Sequence, residues 1–259
     1  MRNIFAVAGI VIKELYRRKD FYVLFILTVL VCLIMASVNI FNDKQIVRYL
    51  KELCLLLIWI SSLVIAITTT ARQIPAEREQ RTLLPLLAKP LTRTQLIFGK
   101  FLGCWIACGL VLICFYVFFG ALALSREHAW PLLNYFQAAF LHWIMLGVVV
   151  ALSLLGSLVF AAPSSNSTIC FVIVATILCV GRYLDAVALS MAEPFRSIVY
   201  MVYFAIPHLE VPFEMRNLIV HDWPLIGWNF YGLYILYALA YTTAFLVAAC
   251  LVFRRKAVN

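Results

Sequence analysis

Long apolar stretches separated by short polar ones occur along the whole chain. A helix needs about 20 apolar residues to cross the hydrocarbon core of a bilayer. Six stretches approach or exceed this length: residues 21–41, 53–71, 101–124, 135–161, 168–184 and 231–253. The pattern predicts an all-α integral membrane protein with six transmembrane helices, which form a single domain over residues 1–259.

The composition agrees with a membrane protein. Charged residues make up 13% of the chain, compared with roughly 25% in soluble domains, and the six spans leave little room for a separate soluble domain. All eight cysteines fall inside or beside apolar stretches, which favours buried thiols over a disulfide framework. Cys104 and Cys108 lie one helical turn apart and could bind a soft metal, but no His or Met ligand accompanies them, so we expect no metal site.

Two parts of the chain are expected to be helical without crossing the bilayer. Residues 1–20 carry apolar side chains at helical spacing followed by a charged cluster, which predicts an amphipathic helix at the membrane surface. Residues 185–230 are interrupted by four prolines, and the apolar part of this segment, Ser197 to Ile206, is too short to cross. It predicts a re-entrant or interfacial helix. Residues 162–167, with Pro163 and several small polar residues, predict a tight turn.

The basic residues predict how the chain is oriented. Six spans place both termini on one side of the membrane, together with residues 72–100. Of the 21 lysines and arginines, 14 fall on that side. Since basic residues are enriched in cytoplasmic loops, we expect the termini and residues 72–100 to be cytoplasmic, in the plasma membrane, which is the inner membrane of a two-membrane cell.

Residues 72–100, here called the polar segment, form the densest block of charge between the termini. Ala76 to Leu84 can form a short helix supported by Glu77 and Arg81 at i, i+4, and nearby prolines would bend or end it. Thr92 is a candidate N-cap for the helix that follows. A plain solvated loop is the simpler interpretation, and both stay open at this point.

Several chemistries are disfavoured by missing motifs. The sequence has no phosphate loop, so we expect the chain itself not to be an ATPase. The span centres carry no Asp, Glu, Lys or Arg, which disfavours an ion-coupled carrier; His142 is the nearest ionisable candidate. A rival hypothesis is a membrane-bound enzyme or assembly factor that acts through the 185–230 segment. Its reactive groups would be His208, Glu210, Glu214 and His221.

The polar segment resembles a known family in three short patterns. They are Glu77-Arg78-Glu79-x-x-Thr82-Leu83, then Leu86-Leu87-Ala88-x-Pro90-Leu91-x-Arg93, and then Gly99-Lys100. The patterns resemble the loop after the second span of type-2 ATP-binding-cassette (ABC) exporter permeases, and the six-span layout is similar too. Arg81 stands where these permeases often have glycine.

The resemblance implies a permease that moves an unidentified substrate out of the cell, powered by a separate cytoplasmic ATPase subunit. ATP and Mg would bind to that partner, with no cofactor on this chain, and two permease copies would form a homodimer around one path. The polar segment would contain the coupling helix. Its residues in contact with the ATPase would be Glu77, Arg78, Glu79, Arg81, Thr82, Leu83, Leu87, Pro90 and Arg93. Neither a metal nor a nucleic acid is implied.

Gly99, Gly103 and Ala107 form a stripe of small residues at four-residue spacing. Such a stripe lets another helix approach closely. Packing within the chain and packing between two subunits are equally consistent with the stripe.

Overall fold

The computed structural model describes residues 2–17, 19–37, 44–79, 92–127 and 131–255. Within these ranges every regular element is an α-helix, which confirms the all-α fold class. The helices are α1 (Arg2–Arg17), α2 (Lys19–Ser37), α3 (Lys44–Ala71), α4 (Pro75–Glu79), α5 (Arg93–Glu127), α6 (Leu132–Val159), α7 (Pro163–Ser190), α8 (Phe195–Ala205), α9 (Glu210–Glu214), α10 (Asn217–Val220) and α11 (Trp228–Arg255).

Five of the described helices, α3, α5, α6, α7 and α11, are long and apolar enough to cross a membrane. The predicted first span, residues 21–41, coincides with α2 up to Ser37, and residues 38–43 lie outside the described residues. The apolar part of α2 whose side chains are described, Phe25–Ile34, is shorter than a span. The predicted first span, and with it the total of six, therefore stays a prediction.

Several helices extend beyond the predicted spans. Helix α3 begins at Lys44 rather than near residue 53, and α5 begins at Arg93 rather than near residue 101.

The predicted turn at 162–167 is wrong, because α7 begins at Pro163. Proline is favoured in the first helical turn, where its missing N–H is not needed. The hydroxyl of Ser167 donates to the carbonyl of Pro163, four residues earlier, at 2.6 Å, so this polar side chain is accommodated within the helix.

Helix α6 forms the centre of the bundle. It contacts α3, α5, α7 and α11, and its residues 144–151 are all buried. Two tryptophans, one on each helix, connect α6 to α5. The indole N–H of each tryptophan, Trp105 and Trp143, donates to the backbone carbonyl of the other at 3.0 Å. The two rings stack with their centroids 4.5 Å apart. Gly109 and Gly147, each one turn beyond a tryptophan, leave room for the opposite indole.

Helix α1 packs along α5. It buries Val7, Ala8, Val11 and Leu15 against the bundle, and it exposes Lys13 and Glu14. The helical stretch predicted at residues 1–20 is therefore present over Arg2–Arg17. Its position at a membrane surface stays a prediction.

The 185–230 segment contains three short helices. The short apolar helix predicted there is observed as α8, Phe195–Ala205. Three tyrosine hydroxyls of α11 donate to carbonyls around the end of α8, at 3.1–3.2 Å. The pairs are Tyr241 with Phe204, Tyr237 with Ile206, and Tyr234 with His208. The carbonyls of Phe204 and Ile206 are among those that the end of α8 leaves without intrahelical partners, and two of these bonds occupy them.

Candidate functional site

Residues 72–75, at the start of the polar segment, fold back onto the bundle. After α3 ends at Ala71, residues 72–74 turn, and the amide of Gln73 donates to the carbonyl of Thr70 at 3.1 Å. The side chains of Ile74 and Pro75 are buried. Because these two apolar side chains lie against the core, α4 starts from a fixed position rather than from a free loop.

Lys100, in the second turn of α5, meets this folded-back chain. Its ammonium group donates to the carboxylate of Glu77 at 2.8 Å, to the carbonyl of Gln73 at 3.1 Å and to the side-chain oxygen of Gln73 at 3.2 Å. The Lys100 side chain is 3% exposed and the Glu77 side chain 20%. Three donors therefore meet three acceptors, which is what a buried ammonium group requires.

This ion pair matters energetically because it is largely removed from water. Moving an ammonium group out of water costs several kcal/mol, and only well-placed partners offset that cost. Removing either partner would take a compensating charge away from the other in a largely buried place. The contact therefore fixes α4 against α5. Arg81, the helical partner predicted for Glu77, lies outside the described residues.

The start of α5 is fixed by two further contacts. The hydroxyl of Thr92 accepts from the amide of Gln95 at 3.3 Å, and the side-chain oxygen of Gln95 accepts from the amide of Thr92 at 3.2 Å. This reciprocal capping box confirms Thr92 as the N-cap. The guanidinium of Arg93 donates to the carbonyls of Phe253 at 2.8 Å and Arg254 at 3.3 Å. It thereby joins α5 to the C-terminal end of α11, where cations are favourable.

Asn166 of α7 connects the end of α3 to α6. Its side-chain nitrogen donates to the carbonyl of Ser153 at 3.1 Å and to the carbonyl of Ala71 at 3.5 Å, and its oxygen accepts from the thiol of Cys170 at 3.4 Å. Asn166 is fully buried. Gly156 leaves space for it, because a Cβ there would overlap the Asn166 side-chain oxygen. The polar segment thus begins where α3, α6 and α7 meet.

This arrangement, a charged segment anchored at one end of an apolar bundle, agrees with a comparison against known protein families. Residues 6–258 match the family model described as ABC-2 family transporter protein. The chain belongs to the ABC-2 transporter family. Members of this family are membrane components of ABC transporters that work with an ATPase subunit and are not the ATPase themselves. Among curated proteins, no significant match was found.

Four of the nine residues predicted to contact the ATPase lie in the described part of this ABC-2 permease. Glu79 is exposed and Arg78 is half-buried. Glu77 faces Lys100, and Arg93 reaches α11. The remaining five lie outside the described residues: Arg81, Thr82, Leu83, Leu87 and Pro90.

The stripe of small residues faces α1 within the same chain. A Cβ added to Gly99 would lie 2.7 Å from the Cβ of Val7, and one added to Gly103 would lie 2.7 Å from the Cβ of Val11. Ala107 is partly buried against the core. At Gly99 and Gly103, the structure therefore shows intrachain packing.

The rival site in the 185–230 segment is brought together only in part. The imidazole of His208 and the carboxylate of Glu210 are 2.8 Å apart, and the His208 ring lies 4.4 Å from that of Tyr203. The ring of His221 lies 6.3 Å from that of Trp223, and Glu214 is exposed. Among the described residues, no three His, Cys, Asp or Glu side chains are grouped to hold a metal.

His142 lies inside the bundle in a neutral network. The hydroxyl of Ser62 donates to the carbonyl of Trp59 at 2.8 Å, so the Nε2–H of His142, 2.9 Å away, donates to Ser62. The other ring nitrogen then accepts from Tyr116, whose hydroxyl is 3.4 Å away. The network joins α3, α5 and α6, and such polar contacts between helices stabilise membrane bundles.

Sequence reasoning missed the contacts made by Gln73, Lys100 and Asn166. Asn166 carried a signal, since a polar amide beside an apolar stretch requires hydrogen-bond partners. The repeated Trp-x-x-x-Gly spacing of Trp105–Gly109 and Trp143–Gly147 was a second signal, for the α5–α6 contact. The Lys100 contact had no comparable local signal, because its partners lie more than twenty residues earlier in the chain.

Proposed function

We propose that this ABC-2 permease is an exporter subunit whose polar segment docks onto the partner ATPase. ATP binding would close two ATPase subunits, and the polar segment would transmit that motion to the spans. The termini and the polar segment are cytoplasmic in this proposal, and the membrane is the cell inner membrane. The supporting observation is that the polar segment is anchored through the buried Lys100 contact while Glu79 remains exposed beside it.

Two copies of the permease form the translocation path in this proposal. The interior of the described bundle is occupied by α6, with residues 144–151 buried. A path between two copies needs no cavity inside one bundle. The mass of the permease–ATPase complex, measured by light scattering, should correspond to two permeases and two ATPases. A complex with one permease would contradict the homodimer.

The docking site is tested by reversing two charges of α4, those of the half-buried Arg78 and the exposed Glu79. The double variant Arg78→Glu/Glu79→Lys should insert and fold like the wild type, because neither side chain contributes a described core contact. It should lose both co-purification with the co-expressed partner ATPase and the ATPase activity of the complex. Lys13→Glu, an exposed reversal on α1, is the matched control and should retain both.

Two outcomes would overturn the proposal. Unchanged complex formation and ATPase activity in the double variant would show that α4 is not the docking site. Transport that persists without ATP and collapses with the proton gradient would instead indicate an ion-coupled carrier.

A further inference from the structure

Lys100 connects two parts of the chain that are far apart in sequence, α4 and α5. The connection consists of one ammonium group and three oxygens, two from Gln73 and one from Glu77. We propose that Lys100 is a positioning residue that passes displacements of α4 to α5, and through α5 to α1. This inference rests on the proposed function. The contact of Lys100 with Gln73 and Glu77, here called the joint, is the connection through which the motion would pass.

The charge of Lys100 makes the joint stiff. If α4 moved away from α5, a buried ammonium group and a largely buried carboxylate would lose their contact with each other, which offsets part of the cost of burying both charges. Sliding is resisted as well, because the two Gln73 oxygens and the Glu77 carboxylate are fixed on one short stretch of backbone. Helices α4 and α5 therefore move together at this point.

Helix α1 is attached to α5 on both sides of Lys100. At Gly99 and Gly103 the absent side chains let α1 approach until its backbone carbonyls, those of Ile4 and Ala8, are 3.0–3.1 Å from where a Cβ would stand. Val7 and Val11 fill these two positions. Backbone contacts of this closeness leave little freedom for separate motion. A displacement of α5 near Lys100 therefore carries α1 with it.

If the joint transmits motion, nucleotide binding to the partner ATPase should change the amide hydrogen exchange of α1 in the permease. The full-length permease and its co-expressed ATPase are placed in nanodiscs of phosphatidylethanolamine and phosphatidylglycerol. Amide hydrogen exchange is measured with and without Mg-ATP and vanadate. In the wild type, exchange should change in α4, in residues 93–103 and in α1.

The Lys100→Met variant separates transmission from docking. It should still bind the ATPase and show the nucleotide-dependent change in α4, but lose the change in residues 93–103 and α1. Lys100→Arg keeps the charge and should restore the response at least in part. Lys13→Met, the same substitution at an exposed position of α1, should respond like the wild type. If Lys100→Met does not purify as a folded complex, Lys100→Gln, which also removes the charge but keeps a hydrogen-bond donor, provides the same comparison.

The outcomes are distinct. An undiminished α1 response in Lys100→Met or Lys100→Gln overturns the joint and leaves the docking proposal intact. A wild-type permease that binds no ATPase overturns the proposed function, and the joint with it, before any nucleotide is added. A loss of response that Lys100→Arg does not restore at all would overturn the assignment to the charge of Lys100.

Discussion

The two ends of the helical bundle are tied together by different chemistry. At the end that carries the polar segment, a buried ammonium group holds α4 against α5, and a guanidinium holds α5 against α11. At the opposite end, tyrosine hydroxyls of α11 and the side-chain amides of Asn134 and Gln137 hold the 185–230 segment. The ion pair between Arg216 and Glu52 at that end is more exposed, so it contributes little.

This difference determines how each end responds to damage. Neutral hydrogen bonds contribute about 0.5–1.5 kcal/mol each, so the 185–230 segment should lose stability gradually as single contacts are removed. A buried ion pair has a larger effect on stability at a single position. When one partner is removed, the cost of taking the other charge out of water is no longer offset by that partner. At the end that carries the polar segment, single substitutions should therefore cause large losses of stability. A tightly held contact of this kind suits a segment that must move as one unit with α5.

The sharpest test of this contrast is Lys100→Met. The substitution keeps an unbranched side chain of similar length but removes the ammonium group that contacts Glu77 and Gln73, so it should lower the free energy of unfolding by about 3–5 kcal/mol. Denaturation of the purified permease in detergent, followed by tryptophan fluorescence, measures the loss. Lys13→Met on α1 should stay within about 0.5 kcal/mol of the wild type. Equal effects of the two substitutions would contradict the contrast.

Gly103→Leu tests whether α1 belongs to the same rigid end. The leucine would collide with Val11, which already occupies the space of a Cβ, and overpacking of this kind costs about 1–3 kcal/mol. The same denaturation measurement applies. Gly232→Leu on α11 is the control, since nothing lies within 4 Å of a Cβ built there. A tolerated leucine at Gly103 would mean that α1 can separate from α5.

Arg93→Gln tests the second charged contact. Its guanidinium donates to the last carbonyls of α11, and its loss should cost about 1–2 kcal/mol. Arg255→Gln removes an exposed arginine from the same helix end and should have little effect on the thermal midpoint. If the two variants melted alike, the α5–α11 contact would contribute nothing to the rigidity of this end.

Tyr237→Phe tests the neutral end and should have the smallest effect. The hydroxyl donates to the carbonyl of Ile206 and accepts from the amide of His208, and removing it should cost about 0.5–1.5 kcal/mol. Tyr183→Phe, at a side chain that is 65% exposed, is the control. ATPase activity of the complex should not change in either variant. A cost for Tyr237→Phe above that for Lys100→Met would reverse the contrast between the two ends.

The sequence was most informative where the physics is local. Apolar length predicts helices because the bilayer sets a minimum span, and the capping box of Thr92 and Gln95 depends on residues three apart. Helix ends were less predictable. The polar first turns of α3 and α5 remain helical beyond the apolar stretches, and Pro163 starts α7 where small polar residues had indicated a turn.

The candidate site was less predictable than the fold, because its contacts join residues distant in sequence. The small residues Gly99 and Gly103 indicated close packing, but nothing in their spacing says that the partner is α1. Glu77 had a predicted helical partner at Arg81, whereas the described contact is with Lys100, which only the approach of α3 to α5 brings near. Contacts of this kind require the three-dimensional arrangement.

Site-specific photocrosslinking tests most directly which end of the bundle faces the ATPase. A photoreactive phenylalanine derivative replaces Glu79 in one variant and Leu189, an exposed residue of α7 at the opposite end, in another. We predict a crosslink to the co-expressed ATPase from position 79 and none from position 189. A crosslink from position 189 with none from position 79 would contradict the account.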